Sequence, residues 1–149
     1  MVQVRVVTKG LDFSQIAEEL QQDMESLKRN TLTGMAEVIA QTSPIDSGYY
    51  AANHEVALRS GSYVANKQRP DDAPRRSRGE APAIPDAREK GLSNMLSDIA
   101  SIDMSKSTFV FRNPMTYSSL VEAEHAVYAR ARREVTQLIA QAVSQVRSR

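Results

Sequence analysis

Val2, Val4 and Val6 alternate with Gln3 and Arg5, the two-residue period of a half-buried strand, and Gly10 ends the run. Asp12 or Ser14 can then cap a helix, with Glu18 and Glu19 in or near its positive first turns. Beyond them Ile16, Leu20, Met24, Leu27, Thr31, Met35 and Val38 recur at spacings of four and three. That is one stripe of an amphipathic helix running to about Gln41, with Gly34 as its weak spot. At 1.5 Å per residue it would be about 40 Å long. Part of its stripe either faces another chain or lies across the chain's own sheet.

The helix stops at Ser43-Pro44-Ile45-Asp46-Ser47-Gly48-Tyr49-Tyr50. Pro44 cannot donate a backbone hydrogen bond and pushes Ser43 out of helical geometry. The Asp46 carboxylate can fold back onto nearby amides, and Gly48 can take the positive φ of a tight turn. A strand is expected next, with Tyr50, Ala52, His54, Val56 and Leu58 on one face, ending at Gly61, beyond which Tyr63-Val64 can continue it. Between Ala65 and Pro85 lie four of the six prolines and a single large apolar residue, Ile84. Such a stretch cannot offset its ordering entropy by burial, so it reads as a long mobile loop.

Asp86 is placed to cap a helix through about Ile102 that carries Leu92, Met95, Leu96 and Ile99, with Gly91 weakening its first turns. Ser107 to Arg112 reads as a strand, Asn113-Pro114 as a turn, and Tyr117 to Val121 as a second strand pairing back. From about Ala126 a last helix aligns Tyr128, Ala131, Val135, Leu138, Ala142 and Val146. The expected fold is α+β. A small, mainly antiparallel sheet packs with a long N-terminal, a short middle and a long C-terminal helix, in one domain spanning 1–149.

Composition removes several kinds of chemistry. The 149 residues include no cysteine, which excludes disulfide scaffolds, thiolate zinc sites and cysteine nucleophiles. No apolar run approaches the roughly 20 residues of a membrane span, and the N-terminus lacks a signal-peptide core, so no membrane partner is expected. The glycines have neither P-loop nor dinucleotide spacing. Asp46, Ser47 and His54 invite a triad reading, but no nucleophile elbow surrounds Ser47. Glu122, Glu124 and His125 lack a distant fourth metal ligand. No catalytic residue, metal or cofactor is expected.

A net charge of +1 gives no general reason to bind nucleic acid, but the charges are unevenly spread. Lys67, Arg69, Arg75, Arg76 and Arg78 make the first part of the loop basic, against Asp71 and Asp72. The last helix carries Arg130, Arg132, Arg133, Arg147 and Arg149 against Glu134. The first helix begins acidic through Asp12, Glu18, Glu19, Asp23 and Glu25. Acidic and basic ends are either two solvated faces or patches that meet between neighbouring subunits, which would favour a head-to-tail ring. The loop arginines could also contact a nucleic-acid backbone, without aromatics for base stacking.

Two stretches carry a resemblance. A long amphipathic helix followed by SPIDSGYYAAN resembles the signature of the tail-completion and head–tail joining (neck) proteins of tailed bacteriophages. FRNPMTYSSLVEAEH is similar to that family's second signature, with Asn113, Tyr117, Val121 and Glu122 at its positions. The chain departs from the pattern at Tyr50-Ala51, where the family often has Leu-Arg, and at Glu124, where it usually has Gly.

The resemblance implies a non-enzymatic virion protein, made in the host bacterial cytoplasm and assembled as a ring, often a hexamer, between the DNA-filled head and the tail. Its partners would be further copies of itself, head connector or adaptor proteins, and tail terminator, tube or sheath proteins, with DNA passing without sequence recognition. Pro44, Asp46 and Gly48 would fix the corner, and Tyr117 and Glu122 would tie the last hairpin back to it. Residues 65–85 would form an arm that orders on a partner or lines the DNA channel. A tail-terminator ring and a free nucleic-acid-binding module are the alternatives.

Overall fold

The computed structural model describes residues 13–58, 63–70, 84–106 and 108–148. The alternating Val2–Val6 segment, Gly61, and loop residues 71–83 with Arg75, Arg76 and Arg78 lie outside them.

Helix α1 runs from Phe13 to Thr42, 30 residues and about 45 Å. It ends where Pro44 denies Ser43 the helical region. Its second half supplies the core through Leu32, Ala36, Ile39 and Ala40, against Met95, Ile99, Val127 and Ala131 from the other helices. The large residues of the expected stripe are not the buried ones: Met35 and Val38 are half-buried, while Leu20 and Met24 are exposed. Alanines 36 and 40 instead let a neighbouring helix come close, and close approach excludes water more completely than a long side chain does.

The helices that α1 packs on come later in the chain. The chain after Thr42 makes a single helical turn, α2 (Tyr49–Ala52), then strand β1 (Glu55–Leu58), helix α3 (Ala87–Ser101), strand β2 (Phe109–Arg112), helix α4 (Ser118–His125) and helix α5 (Val127–Arg147). The α5 stripe lies as the periodicity predicts, with Ala131 and Ala142 buried and Tyr128, Val135, Leu138 and Val146 half-buried. No described helix is long and apolar enough to cross a membrane.

Strands β1 and β2 form a two-stranded antiparallel sheet, pairing Glu55 with Arg112, Val56 with Phe111, Ala57 with Val110 and Leu58 with Phe109. Two strands alone are marginal in water. Here Val56 is buried in the helical core, and its amide donates to Asp98 Oδ2 of α3 at 2.9 Å. At the open end Arg112 Nε pairs with Glu55 Oε2 at 3.0 Å, and its guanidinium lies 4.2 Å from the Tyr63 ring centre.

Three local expectations are corrected. The strand expected from Tyr50 begins only at Glu55, because Tyr49–Ala52 closes into a helical turn after Gly48, which takes φ 93°. The apparent alternation there rested on alanines, which have no β preference, and Ala51 and Ala52 pack instead on Ala87. Tyr117–Val121 is not a strand. Leu120 and Val121 amides bond the Tyr117 carbonyl at 3.1 and 3.3 Å and open α4, while β2 pairs with β1. Asp86 does sit at the N-cap of α3, but with φ 53° and no side-chain capping bond.

The expected mobile loop is also tied down where it is described. The Lys67 amide donates to Pro114 O at 2.7 Å, and Lys67 O accepts from the Thr116 amide at 2.9 Å, a short parallel bridge. At the far end the Ile84 amide donates to Ser47 O at 3.0 Å, and Ile84 packs on the small residues of α2 and α3.

Candidate functional site

The corner and the second signature, some seventy residues apart in sequence, meet around one groove of about 350 Å³. Pro44, Asp46, Ser47 and Gly48 form one wall, Tyr117, Leu120 and Val121 the other, and Arg69 bridges the rim. The Tyr117 hydroxyl hydrogen-bonds the Ser47 side chain. Arg69 Nη1 reaches Asp46 Oδ2 at 3.9 Å. Leu120 stands 71% exposed at the lip.

Beneath the groove lies a buried polar chain that fixes the corner. Ser43 Oγ donates to Ile39 O at 2.6 Å, the acceptor one turn earlier in α1. A serine hydroxyl has one proton, so its 2.7 Å contact with His54 Nε2 must have the histidine as donor. Nδ1 of His54 is then the free acceptor, and it receives the Tyr128 hydroxyl at 2.8 Å and an Asn113 amide proton at 3.3 Å. Burial lowers the His54 pKa to about 4, so the ring is neutral at pH 7. Burial, and secondarily nearby Tyr50 and Glu122, raises the Tyr128 phenol above its usual range. Edge-on Tyr50 and Tyr128 rings flank the imidazole, with centroids 4.9 and 5.6 Å away.

These bonds assign the residues singled out in the sequence. Asn113 Nδ2 also donates to Tyr50 O at 2.8 Å and its Oδ1 accepts from the Met115 amide at 3.1 Å, clamping the exit of β2 to α2. Glu122 does not reach the corner. Its carboxylate accepts the Tyr128 and Ala129 amides at 2.9 and 3.0 Å, which are free donors in the first turn of α5. It caps the last helix just after Ala126, whose φ of 51° breaks α4 from α5. Pro44 and Gly48 set the corner itself, and Asp46 is tied to Arg69.

Ser47 and His54 do not meet: Ser47 engages Tyr117, and His54 engages Ser43. Ser43 in turn is fully buried, with its proton committed to a carbonyl and a protonated nitrogen facing its oxygen. That is the reverse of a nucleophile–base pair, in which the ring nitrogen must accept. Among the described residues no group of three or more His, Asp or Glu is arranged to hold a metal ion. Lys67 and Arg69, candidate DNA contacts, are engaged by Asn53 Oδ1 and Asp46. The charges on Glu18, Glu19, Asp23, Arg130, Arg132 and Arg133 are not brought together within the chain.

The sequence reading gave no polar role to Ser43, to Tyr128 or to Arg88, whose Nε donates to Ser43 O at 2.9 Å. A usable signal for the first two was present: a lone histidine on an apolar face needs two polar partners to be buried. Compared with protein-family models, with curated proteins and with solved structures, the chain has no significant match.

Proposed function

We propose that this chain is a non-enzymatic structural subunit of the head-to-tail interface of a tailed phage, a neck or tail-completion ring protein. The observation that carries the reading is the convergence of its two signature stretches on one groove. Tyr117 bonds Ser47, Asn113 bonds Tyr50, and Ile84 bonds Ser47, so both signatures serve a single corner. Their polar residues satisfy backbone groups and one another, which suits a part whose work is to hold a shape. The described ends of the loop, at Lys67–Pro70 and Ile84, both lie at this corner.

The test is direct. Gold-labelled antibody to the chain, imaged on purified virions, should mark the head–tail junction, and phage lacking the gene should accumulate filled heads and separate tails. Label elsewhere on the particle, or none, would overturn the reading.

A further inference from the structure

Helices α1 and α5 run antiparallel, with Gly34 against Leu138 and with Asn30 and Gln145 lining one cavity. α5 therefore ends, at Arg147, opposite about Glu25 of α1. The tail of α3 attaches at the same level: Arg29 Nη1 donates to Ile99 O at 2.6 Å, and Lys28 Nζ to Met104 O at 3.0 Å. Phe13 to Met24 thus projects past both partners, about 18 Å of helix. From Ser14 to Met24 every residue except Ile16 and Asp23 is exposed. Leu20 is 61% and Met24 51% exposed, one turn apart on one side. Glu18, Glu19, Asp23 and Glu25 surround them, with no Lys or Arg between Phe13 and Lys28.

The opposite end of the molecule carries the complement. A groove of about 240 Å³ between α1, β2 and α5 is lined by Met35, Phe109, Phe111 and Tyr128, with Arg132 at its edge. Ile139, 41% exposed, lies two turns along the same face of α5 as Arg132, and Arg130 and Arg133 are exposed beside it. By the antiparallel register Arg132 sits opposite about Ala40, roughly 25 Å along α1 from Asp23. The acidic apolar projection and the basic apolar groove therefore cannot meet within one chain.

We propose that the projecting start of α1 docks into the α5–β2 groove of a second copy. This rests on the ring reading above and names the surfaces that would join the subunits. Leu20 and Met24 supply the buried apolar area, and Glu19 and Asp23 against Arg132 set orientation, since exposed ion pairs add little affinity by themselves. The two patches differ, so the contact is heterologous. It closes as a ring if the rotation allows and runs on as a filament otherwise.

Analytical ultracentrifugation of the full chain at protein concentrations up to about 0.5 mM, in low and high salt, tests this. The wild type should self-associate. Glu19→Arg with Asp23→Arg, and separately Arg132→Glu, should each weaken association by about tenfold, and combining them should restore it. Leu20→Ser with Met24→Ser should abolish it, with circular dichroism confirming that the fold is kept. Because the chain has no cysteine, Leu20→Cys with Ile139→Cys should give an oxidised ladder of multimers on a denaturing gel.

Association unchanged by all these substitutions would overturn the docking surfaces and leave a ring built otherwise. A wild type that stays monomeric throughout would also overturn the docking. The ring reading itself stands or falls on the virion labelling.

Discussion

Gly34 and Gly91 both lie inside helices, so intrinsic propensity predicts the same gain of about 1 kcal/mol for replacing either by alanine. The packing separates them. A Cβ on Gly91 would lie 1.9 Å from Ala51 O and 3.1 Å from Ala51 C, against ordinary contact of 3.4 Å or more. The obstacle is backbone, and the next carbonyl, Ala52 O, is pinned by Asn94 Nδ2 at 2.9 Å, so α2 cannot swing aside without breaking the corner. Overpacking costs roughly 1–3 kcal/mol and occasionally more, and a main-chain clash belongs at the upper end.

Gly91→Ala should therefore destabilise by about 2 kcal/mol net of the propensity gain. On Gly34 the nearest atom to the Cβ would be Leu138 Cδ2 at 2.8 Å, the tip of a half-buried side chain that can rotate. Gly34→Ala should be neutral or stabilising by up to about 1 kcal/mol. Urea unfolding followed by circular dichroism reads this as midpoint shifts of opposite sign at constant m-value, and by heat Gly91→Ala should lose about 4–8 °C. A Gly91→Ala midpoint at or above wild type would refute the close-approach argument, as would Gly34→Ala falling equally far.

Three further outcomes follow from the polar core and the caps. With a folded pKa of about 4 against an ordinary 6.5, His54 is protonated in the unfolded but not the folded chain across that window. Stability should therefore fall as pH drops from about 6.5 to about 4, by about 3 kcal/mol in all, and His54→Gln should flatten that slope in urea titrations; an unchanged slope would reassign it. Tyr50 carries the one buried side-chain polar atom without a partner among the described residues, so Tyr50→Phe should leave stability unchanged or raise it by about 1 kcal/mol in thermal melts, and a loss above that size would mean the hydroxyl is satisfied. Glu122→Ala should cost about 1–2 kcal/mol and speed amide exchange at Tyr128 and Ala129, with Glu122→Gln intermediate; protection unchanged at both amides would refute the cap.

The parts of this fold that depend on one stretch of chain were legible in order. Pro44 and Gly48 have to stop α1 and turn the chain, whatever surrounds them, because their limits are covalent. The α5 stripe was equally plain, since apolar residues at three- and four-residue spacing leave a helix one face to bury. Local pattern failed where the deciding partner lay far away. Tyr50 to Leu58 alternates as a strand would, yet its first half coils because Ala51 must approach the backbone of Gly91, forty residues on. Tyr117 to Val121 opens α4 instead, with its tyrosine bonded to Ser47 seventy residues back.

Gly91 shows the same division in one residue: a defect by propensity, a contact point in the folded chain. The burial and tautomer of His54 follow only from finding Ile39 O, Ser43 and Tyr128 around it. The sequence alone thus determined where α1 stops, where the three longest helices lie and which regions carry charge. The tertiary structure decided which side chains those segments bury, what the polar residues bond, and which patches are held too far apart to meet within one chain. Backbone constraint is local and written in residue type, whereas burial and hydrogen-bond satisfaction are settled by whatever surface arrives opposite.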